Sequence, residues 1–251
     1  MTNSFSEGHS MPSAAFFDLD KTLWACVGEK AFAHRQLAIG GINLRQFSKI
    51  IVLQLRYDLH LIDGIESMKR RAIRELFARQ NIEKCIDAYE KLFHDKLCIS
   101  FFSDMLSQID RHRQAGDRIV IVSAAIDFIA LTAANYLQAD DCYATILETR
   151  HGQFSGEVKG SIPFGKVKAK IVQDYALQHN LDLKRCHAYG DHWEDRHMLN
   201  LVGNPVAINP DTKLMHHARQ HGWETRILTP PKYTGHSHAT RFTPRITGKI
   251  P

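Results

Sequence analysis

Short apolar runs that end at polar residues constrain the fold of this chain more than any other feature. Three such runs lie at residues 14–19, 118–122 and 186–190, and they read AAFFDL, RIVIV and CHAYG. Apolar runs this short, bounded by polar residues, are typical of parallel strands that are buried on both faces of a sheet. Two further runs, at residues 206–209 and 225–228, predict a fourth and a fifth strand.

Helical segments separate the predicted strands. Apolar residues recur at helical spacing over residues 101–109, 128–137 and 166–179, as expected for helices that pack one face on a sheet. Strands that alternate with helices form parallel sheets with helices on both faces. The sequence therefore predicts a doubly wound, mainly parallel, Rossmann-like α/β core. Residues 144–148 and 153–157 flank R-H-G and add a predicted β-hairpin.

Polar side chains stand at the ends of three predicted strands. Asp18 ends the first apolar run, Ser123 follows the second and Asp191 follows the third. In open α/β sheets, ligands bind outside the carboxyl ends of the strands. We therefore expect these three side chains to converge at one edge of the sheet and to form the active site.

A long helical block interrupts the alternation of strands and helices. Residues 27–100 contain three successive sets of apolar residues at helical spacing and no strand pattern. We interpret the block as a cap domain over the active site, inserted into a core formed by residues 1–26 and 101–228. Extra core helices without a lid role are the alternative. Residues 229–251 are predicted to form a basic, flexible tail.

Composition places the chain among ordinary globular proteins. It has 251 residues, of which 44% are hydrophobic and 24% charged, and a net charge of +5. Because the tail carries most of this excess, we do not expect a dedicated nucleic-acid binder. No apolar run approaches the roughly 20 residues of a membrane span, and no secretory signal is visible, so the cytoplasm is the expected compartment. Five dispersed cysteines without a C-x-x-C pair argue against a disulfide framework.

The stretch FFDLDKTL, residues 16–23, carries the first chemical motif. If the chain turns after Asp18, one side chain and one main-chain carbonyl can face the same cation. Mg²⁺ prefers such hard oxygen ligands. A cation there would offset the charge of a phosphate, so that the carboxylate of Asp18 can attack phosphorus. The second carboxylate, Asp20, is then free to protonate the leaving group and later to activate water.

The motif D-L-D-K-T-L resembles motif one of the haloacid dehalogenase superfamily, and the later motifs follow in order. Ser123 matches the hydroxyl of motif two, which holds a phosphoryl oxygen. The stretch GDHWED, residues 190–195, matches motif four. The resemblance implies that Asp18 is the nucleophile, Asp20 the general acid and base, and Ser123 a catalytic and substrate-binding residue. The implied Mg²⁺ ligands are Asp18, Asp20, Asp191 and Asp195. N-capping of the helix that follows it is an alternative role for Asp195.

Motif three of the family is a lysine near the start of the helix that precedes motif four. Lys168 fits best through its G-x-x-K spacing from Gly165, while Lys166, directly after the glycine, is the alternative. The long insertion resembles the C1 cap of subfamily IB, the phosphoserine-phosphatase-like branch. This resemblance spans residues 14–228. His192–Trp193 departs from it, because relatives usually have a small residue after the first aspartate.

The resemblance predicts a Mg²⁺-dependent phosphomonoesterase that acts through an aspartyl-phosphate on a small phosphorylated metabolite, phosphoserine-like or another amino-alcohol phosphate. A phosphotransferase or phosphomutase and, from another class, a phospho-accepting signalling receiver are the alternatives. Glu29 is a candidate substrate-binding residue, with a hinge role as the alternative. Arg56, Arg70 and Arg71 could meet a second anionic group of the substrate. Lysophospholipids and nucleotides also stay open as substrates, and no oligomeric state is predicted.

Overall fold

The computed structural model describes residues 12–59, 61 and 64–231, with no description of the side chains of residues 57 and 58. A seven-stranded sheet with the order β4-β3-β2-β1-β5-β6-β7 forms the centre of the protein. All neighbouring strands pair in parallel except β3 and β4, which form the predicted hairpin. The strands are β1 (Ala14–Phe17), β2 (Arg118–Ile126), β3 (Asp141–Arg150), β4 (Gln153–Lys159), β5 (His187–Gly190), β6 (Asn204–Ile208) and β7 (Glu224–Arg226).

Helices cover both faces of this sheet, which confirms the predicted doubly wound α/β fold. The helices are α1 (Gly28–Ala38), α2 (Leu44–Asp58), α3 (Ile65–Phe77), α4 (Ile82–Leu92), α5 (Ser103–Ala115), α6 (Asp127–Leu137), α7 (Lys166–Gln178), α8 (Arg196–Leu199) and α9 (Thr212–Gln220). A π-helical turn (Phe93–Leu97) and two 3₁₀ turns (Cys98–Ser100, Trp193–Asp195) complete the elements.

Strand β1 lies at the middle of the sheet and is buried on both faces. Alternate side chains of a strand point to opposite faces, so Ala15 and Phe17 pack on one side, and Ala14 and Phe16 on the other. The ring of Phe17 stacks on Tyr189 of β5, with centroids 4.6 Å apart. This two-sided burial is why the first apolar run contains no polar residue before Asp18.

The strand bounds differ from the sequence prediction at two places that matter for the site. Strand β1 ends at Phe17 because the Leu19 carbonyl accepts the backbone N–H of Leu23 and the chain turns away from the sheet. Strand β2 continues to Ile126 beyond an irregularity in its pairing with β3, so Ser123 lies within the strand rather than after it.

The insertion between β1 and α5 consists of α1 to α4 and the two short turns. Its apolar residues do not form a separate core. Phe32 and Phe77 pack edge to face on Phe128 of α6, with centroids 5.7 and 5.9 Å apart, and Phe77 also meets Phe154 of β4 at 5.6 Å. Aromatic contacts of this kind add to the hydrophobic burial. The insertion is therefore anchored on α6 and the β3–β4 hairpin.

Three sequence expectations concern parts of the chain away from the site. All five cysteines are free, in agreement with their dispersed spacing. Among the described residues, no helix has both the length and the apolar character needed to span a membrane. The basic residues of the predicted tail, from Lys232 onward, lie outside the described residues.

Candidate active site

The carboxyl edge of the sheet brings together side chains from three neighbouring strands. Asp18 follows β1, Ser123 lies in β2, and Asp191 follows β5. The backbone N–H of Asp18 donates to the carbonyl of Tyr189 at 3.0 Å, so the start of the turn stays tied to β5. All three side chains are buried, as predicted for residues that end the strands of one parallel sheet.

Lys168 connects two of the buried carboxylates. Its Nζ donates to Oδ1 of Asp18 and to Oδ1 of Asp195, both at 2.6 Å, and the lysine is 2% exposed. Burial alone would lower the pKa of this ammonium, but Asp18 and Asp195 outweigh that effect and raise it above its ordinary value. The lysine therefore carries a full positive charge. Lys166, the alternative at sequence level, is exposed.

Asp195 is held in place by the backbone of the loop after β5. Its Oδ2 accepts the N–H groups of Asp191 at 3.2 Å and His192 at 3.1 Å. Gly190 makes this approach possible, because a Cβ at that position would lie 2.6 Å from the Cβ of Asp195. Asp195 makes no side-chain cap to α8. The N-cap alternative for that helix is therefore wrong, since the carboxylate closes the preceding 3₁₀ turn.

Three carboxylates form a group of the size that can hold a metal ion. Asp18, Asp191 and Asp195 each offer an oxygen within 4.8 Å of the others. Burial, and then the charges of Asp18 and Asp195, raise the pKa of Asp191 to about 9. Burial also raises the pKa of Asp18 despite its contact with Lys168. One ammonium thus does not offset three ionised carboxylates, so Asp191 holds a proton near neutral pH unless a cation replaces it. Hard oxygen donors of this kind suit a divalent cation such as Mg²⁺.

Asp20 points away from this group toward the start of the insertion. Its Oδ1 accepts the indole N–H of Trp24 at 2.8 Å and the backbone N–H of Gly28, the first residue of α1, at 3.0 Å. Burial, and then the charges of Glu29 and Asp18, raise the pKa of this carboxyl to about 7. A carboxyl with that pKa can be protonated or ionised near neutral pH, which general acid–base catalysis requires.

Ser123 lies in the irregular part of β2. It is 1% exposed, and its Oγ accepts the backbone N–H of Ala125 at 3.1 Å. This bond fixes the side-chain rotamer at the sheet edge, while the hydroxyl hydrogen is free to be donated. Ser123 thus offers a fixed hydroxyl donor in the strand next to β1.

Two residues near the site had no role assigned from the sequence. The hydroxyl of Thr22, which is fully buried, donates to Oδ1 of Asp191 at 3.4 Å. Trp24 donates to Asp20, as described above. Thr22 belongs to the quoted D-L-D-K-T-L motif, so the motif itself carried a signal for it. For Trp24 the signal is weaker, namely its position four residues after Asp20.

Among the described residues, the remaining candidates form no hydrogen bond or ion pair with the three carboxylates. Glu29, in the first turn of α1, forms an ion pair with Lys69 of α3 at 2.7 Å. Arg70 is bonded to Glu66 and to the carbonyl of Gly160, whereas Arg56 and Arg71 are exposed. A contact of these arginines with the substrate stays a prediction. Residues 192–193, which depart from the family pattern, also lie beside the site. The backbone N–H of Trp193 donates to Asp211, and the guanidinium of Arg196 packs on its indole ring.

Comparison with known proteins agrees with this arrangement. Residues 15–200 match the family model of the haloacid dehalogenase-like hydrolases. The chain is 29% identical to phosphoserine phosphatase SerB1 of Mycobacterium tuberculosis, over 86% of this chain and 71% of SerB1. It is 32% identical to the inhibition of morphological differentiation protein of Streptomyces azureus, over 86% and 79%.

A solved structure of a Bordetella pertussis Tohama I protein of unknown function has the same fold. The TM-score is 0.76 at 23% identity, over 86% of this chain and 98% of that one. The family model covers well over half of the chain and includes the buried acids, Ser123 and Lys168. The chain belongs to the haloacid dehalogenase-like hydrolases.

Proposed function

We propose that the protein is a Mg²⁺-dependent phosphomonoesterase that forms a phosphoenzyme on Asp18. The observation that carries the proposal is the position of Asp18. It is a buried carboxylate at the centre of the sheet edge, in contact with a buried ammonium and beside two further buried acids. Structural ion pairs seldom bury three carboxylates with one cation, because the desolvation cost exceeds what one ammonium can offset.

Asp18 is suited to attack phosphorus. Lys168 holds one of its oxygens at 2.6 Å and thereby fixes the direction of the carboxylate. Attack forms a bond from an Asp18 oxygen to phosphorus, and the bond from phosphorus to the leaving-group oxygen breaks. The fixed ammonium of Lys168 and the hydroxyl of Ser123 donate to charge that develops on the phosphoryl oxygens.

Asp20 is suited to move the protons. In the first step its protonated carboxyl would donate to the leaving-group oxygen. In the second step its carboxylate would accept a proton from water as that water attacks phosphorus, which releases phosphate and frees Asp18. Trp24 and Gly28 hold Asp20 Oδ1 in one orientation, so that Oδ2 can exchange protons with substrate and water.

The acidic group would hold the metal ion. Side-chain oxygens of Asp18, Asp191 and Asp195, which lie within 4.8 Å of one another, are the proposed ligands. The motif resemblance adds Asp20, through its main-chain carbonyl. A bound Mg²⁺ supplies charge neutralisation for the phosphate and for the attacking carboxylate. The hard oxygen donors and the raised pKa of Asp191 support this assignment.

Phosphate release from a panel of phosphomonoesters, measured with Mg²⁺ and with EDTA, tests the proposal. We expect wild-type release to require Mg²⁺ and Asp18→Asn to lose at least about 1,000-fold in kcat, as when a nucleophile is removed from other enzymes. Asn keeps the size of the side chain, so the thermal transition should be retained. Metal-independent release, or an active Asp18→Asn variant, would contradict the proposal.

The substrate panel should start from what the relatives suggest. SerB1 is named a phosphoserine phosphatase, so phosphoserine and other amino-alcohol phosphates are the first substrates to compare with simple alkyl and aryl phosphates. Family membership favours hydrolysis over the signalling-receiver alternative. The cap role of residues 27–100 is also part of the proposal, and the cytoplasmic location stays a prediction.

A further inference from the structure

Exposed apolar side chains concentrate in one part of the insertion. The described part of the chain has eight large apolar side chains that are 48% to 79% exposed, and six of them lie between residues 39 and 61. The other two, Leu177 of α7 and Ile227 after β7, belong to the α/β core. Single exposed apolar residues are ordinary, but a group of them on one surface marks an interaction site.

Four of the six side chains form a stripe along α2, which we call the outer stripe: Leu44, Val52, Leu55 and Leu59. Their helical spacing places them on one side of the helix. The backbone N–H of Leu59 donates to the carbonyl of Leu55 at 2.9 Å, so the helical spacing continues past Asp58, where α2 ends. The outer stripe is therefore a continuous apolar surface.

Another side of α2 holds the helix on the insertion. Phe47 and Ile50 pack against the hydrophobic core. The amide of Gln46 donates to the backbone carbonyl of Glu75 in α3 at 3.2 Å, and the ammonium of Lys49 pairs with the carboxylate of Glu75 at 2.8 Å. These contacts fix α2 without the outer stripe, which leaves the stripe free to bind a partner.

Basic side chains border the outer stripe. Arg45 and Arg56 of α2 are exposed and form no ion pair with another described residue. Arg71 of α3 is also exposed, and it lies one turn before Glu75, on the side of α3 that faces α2. Within α2 the sequence has no acidic residue before Asp58. The surface is therefore apolar with a cationic border.

This composition distinguishes among the partners that could cover the surface. A second copy of the chain would place the same patch against itself, so that arginines beside one stripe would meet arginines beside the other. Protein partners bind mainly through Trp, Tyr and Arg, whereas Leu and Val are under-represented in such contacts. An apolar stripe of leucines with a basic border is typical of a helix that lies in the interface of a lipid bilayer.

We propose that the insertion docks on an anionic lipid bilayer through α2. The outer stripe enters the boundary between headgroups and acyl chains, and Arg45, Arg56 and Arg71 contact the lipid phosphates. The helix lies parallel to the membrane surface and does not cross it. The inference concerns where the protein binds, and it does not depend on the proposed phosphatase function.

Co-sedimentation of the full chain with lipid vesicles tests the proposal. We expect the wild type to bind vesicles of phosphatidylcholine with about one third phosphatidylglycerol at least about tenfold more strongly than vesicles of phosphatidylcholine alone. The double variant Val52→Gln/Leu55→Gln should lower the partition coefficient for the mixed vesicles by at least about tenfold, because two apolar side chains no longer enter the bilayer. Arg56→Gln alone should lower it by about fivefold.

Leu177→Gln is the matched control. Leu177 is 79% exposed on a helix of the core, so the same change there should leave vesicle binding at the wild-type level. Melting curves of all variants show whether each one is folded. Binding of the folded double variant at the wild-type level, or a loss in Leu177→Gln of the same size, would overturn the inference.

A wild type that does not bind the mixed vesicles would also overturn it. Sedimentation equilibrium would then assign the outer stripe to another occupant. A dimer that the double variant breaks would indicate a second copy, and a monomer would indicate a protein partner.

Discussion

Each end of strand β5 carries a cluster of three ionisable residues, but the two clusters differ in composition. One consists of three acids, and the other of two histidines and one acid. At the carboxyl end of β5, Asp18, Asp191 and Asp195 have oxygens within 4.8 Å of one another. At its amino end, His112, Asp117 and His187 meet the same distance limit. Both clusters are largely enclosed, and both were candidates for a metal site on distance alone.

In the amino-end cluster, both ring nitrogens of the central residue, His112, have hydrogen-bond partners. Gln108 directs its amide nitrogen at Nε2 of His112, because its carbonyl oxygen accepts from Arg111 and Arg226. Nε2 is therefore an acceptor, and the proton on Nδ1 goes to Asp117 at 2.7 Å. The hydroxyl of Tyr189 lies 2.8 Å from the same nitrogen and shares its lone pair with Gln108.

His187 completes the amino-end cluster without adding charge. Its pKa is lowered by burial and then by His112, and its Nδ1 has no partner among the described residues. The carboxyl end differs, because three acids there share one ammonium and the pKa of Asp191 is raised to about 9. The comparison teaches that an excess of buried acids over cations, rather than proximity of ligand atoms, distinguishes the proposed active site from the hydrogen-bonded network at the amino end.

Among the variants that test this comparison, the largest expected effect is on catalysis at the carboxyl end. Lys168→Met removes the ammonium that contacts Asp18 and Asp195, and we expect kcat to fall by about 10² to 10³, as for the loss of one preorganised donor. Steady-state phosphate release with Mg²⁺ measures this. Lys170→Met is the control, since Lys170 lies on the same helix and pairs with Asp174 on the surface. A large loss in Lys166→Met instead would restore the sequence alternative.

A stability effect is expected at the amino end. His112→Ala removes the imidazole that contacts Oδ2 of the half-buried Asp117 and leaves the Tyr189 hydroxyl without its partner, while Ser13 still donates to Oδ1 of Asp117. We expect this change to cost about 2 to 4 kcal/mol of unfolding free energy. Urea unfolding measures the loss. The kcat of the folded variant should stay within about threefold of wild type. A loss of kcat comparable to that of Lys168→Met would break the proposed division between the two clusters.

The last test concerns pH and metal. The pKa of Asp191 is about 9 in the folded protein against an ordinary 3.8, so folding takes up a proton, and stability falls as pH rises between these values. In EDTA, Asp191→Asn lacks this penalty. We expect its melting temperature to equal that of wild type near pH 4 and to exceed it by about 4 °C or more at pH 8.

Mg²⁺ should reverse that order. Binding to the folded state stabilises the wild type by an amount that grows with the free ion concentration, while Asp191→Asn has lost a ligand. Melting curves at pH 8 with and without Mg²⁺ test both statements. The metal site at these acids would be contradicted if Mg²⁺ did not raise the melting temperature of the wild type, or if the wild type melted at a higher temperature than the variant in EDTA.

Features that depend on short segments of the chain could be predicted from the sequence. The runs before Asp18 and Asp191 predicted strands at the right places, because burial on both faces requires unbroken apolar runs. Their order in the chain, with helices between, predicted that these residues meet at one edge. Lys168 was also predicted, since its spacing from Gly165 places it near the start of α7.

Contacts between distant segments could not be predicted in the same way. Lys69 meets Glu29 across two helices of the insertion, and His112 of α5 meets Tyr189 of β5, 77 residues away in the chain. Neither pairing has a local pattern, because it depends on how helices are placed by the aromatic core. The extension of β2 past Ser123 likewise depends on pairing with β3.

The most direct test of the account is to find the phosphoryl group during turnover. Acid quenching of the wild-type enzyme with Mg²⁺ and a good substrate, followed by peptide mass spectrometry, locates any phosphoenzyme. We expect phosphate on the peptide that contains Asp18, and none in Asp18→Asn. Steady turnover with no phosphoryl group on Asp18, or with one on another residue, would contradict the account.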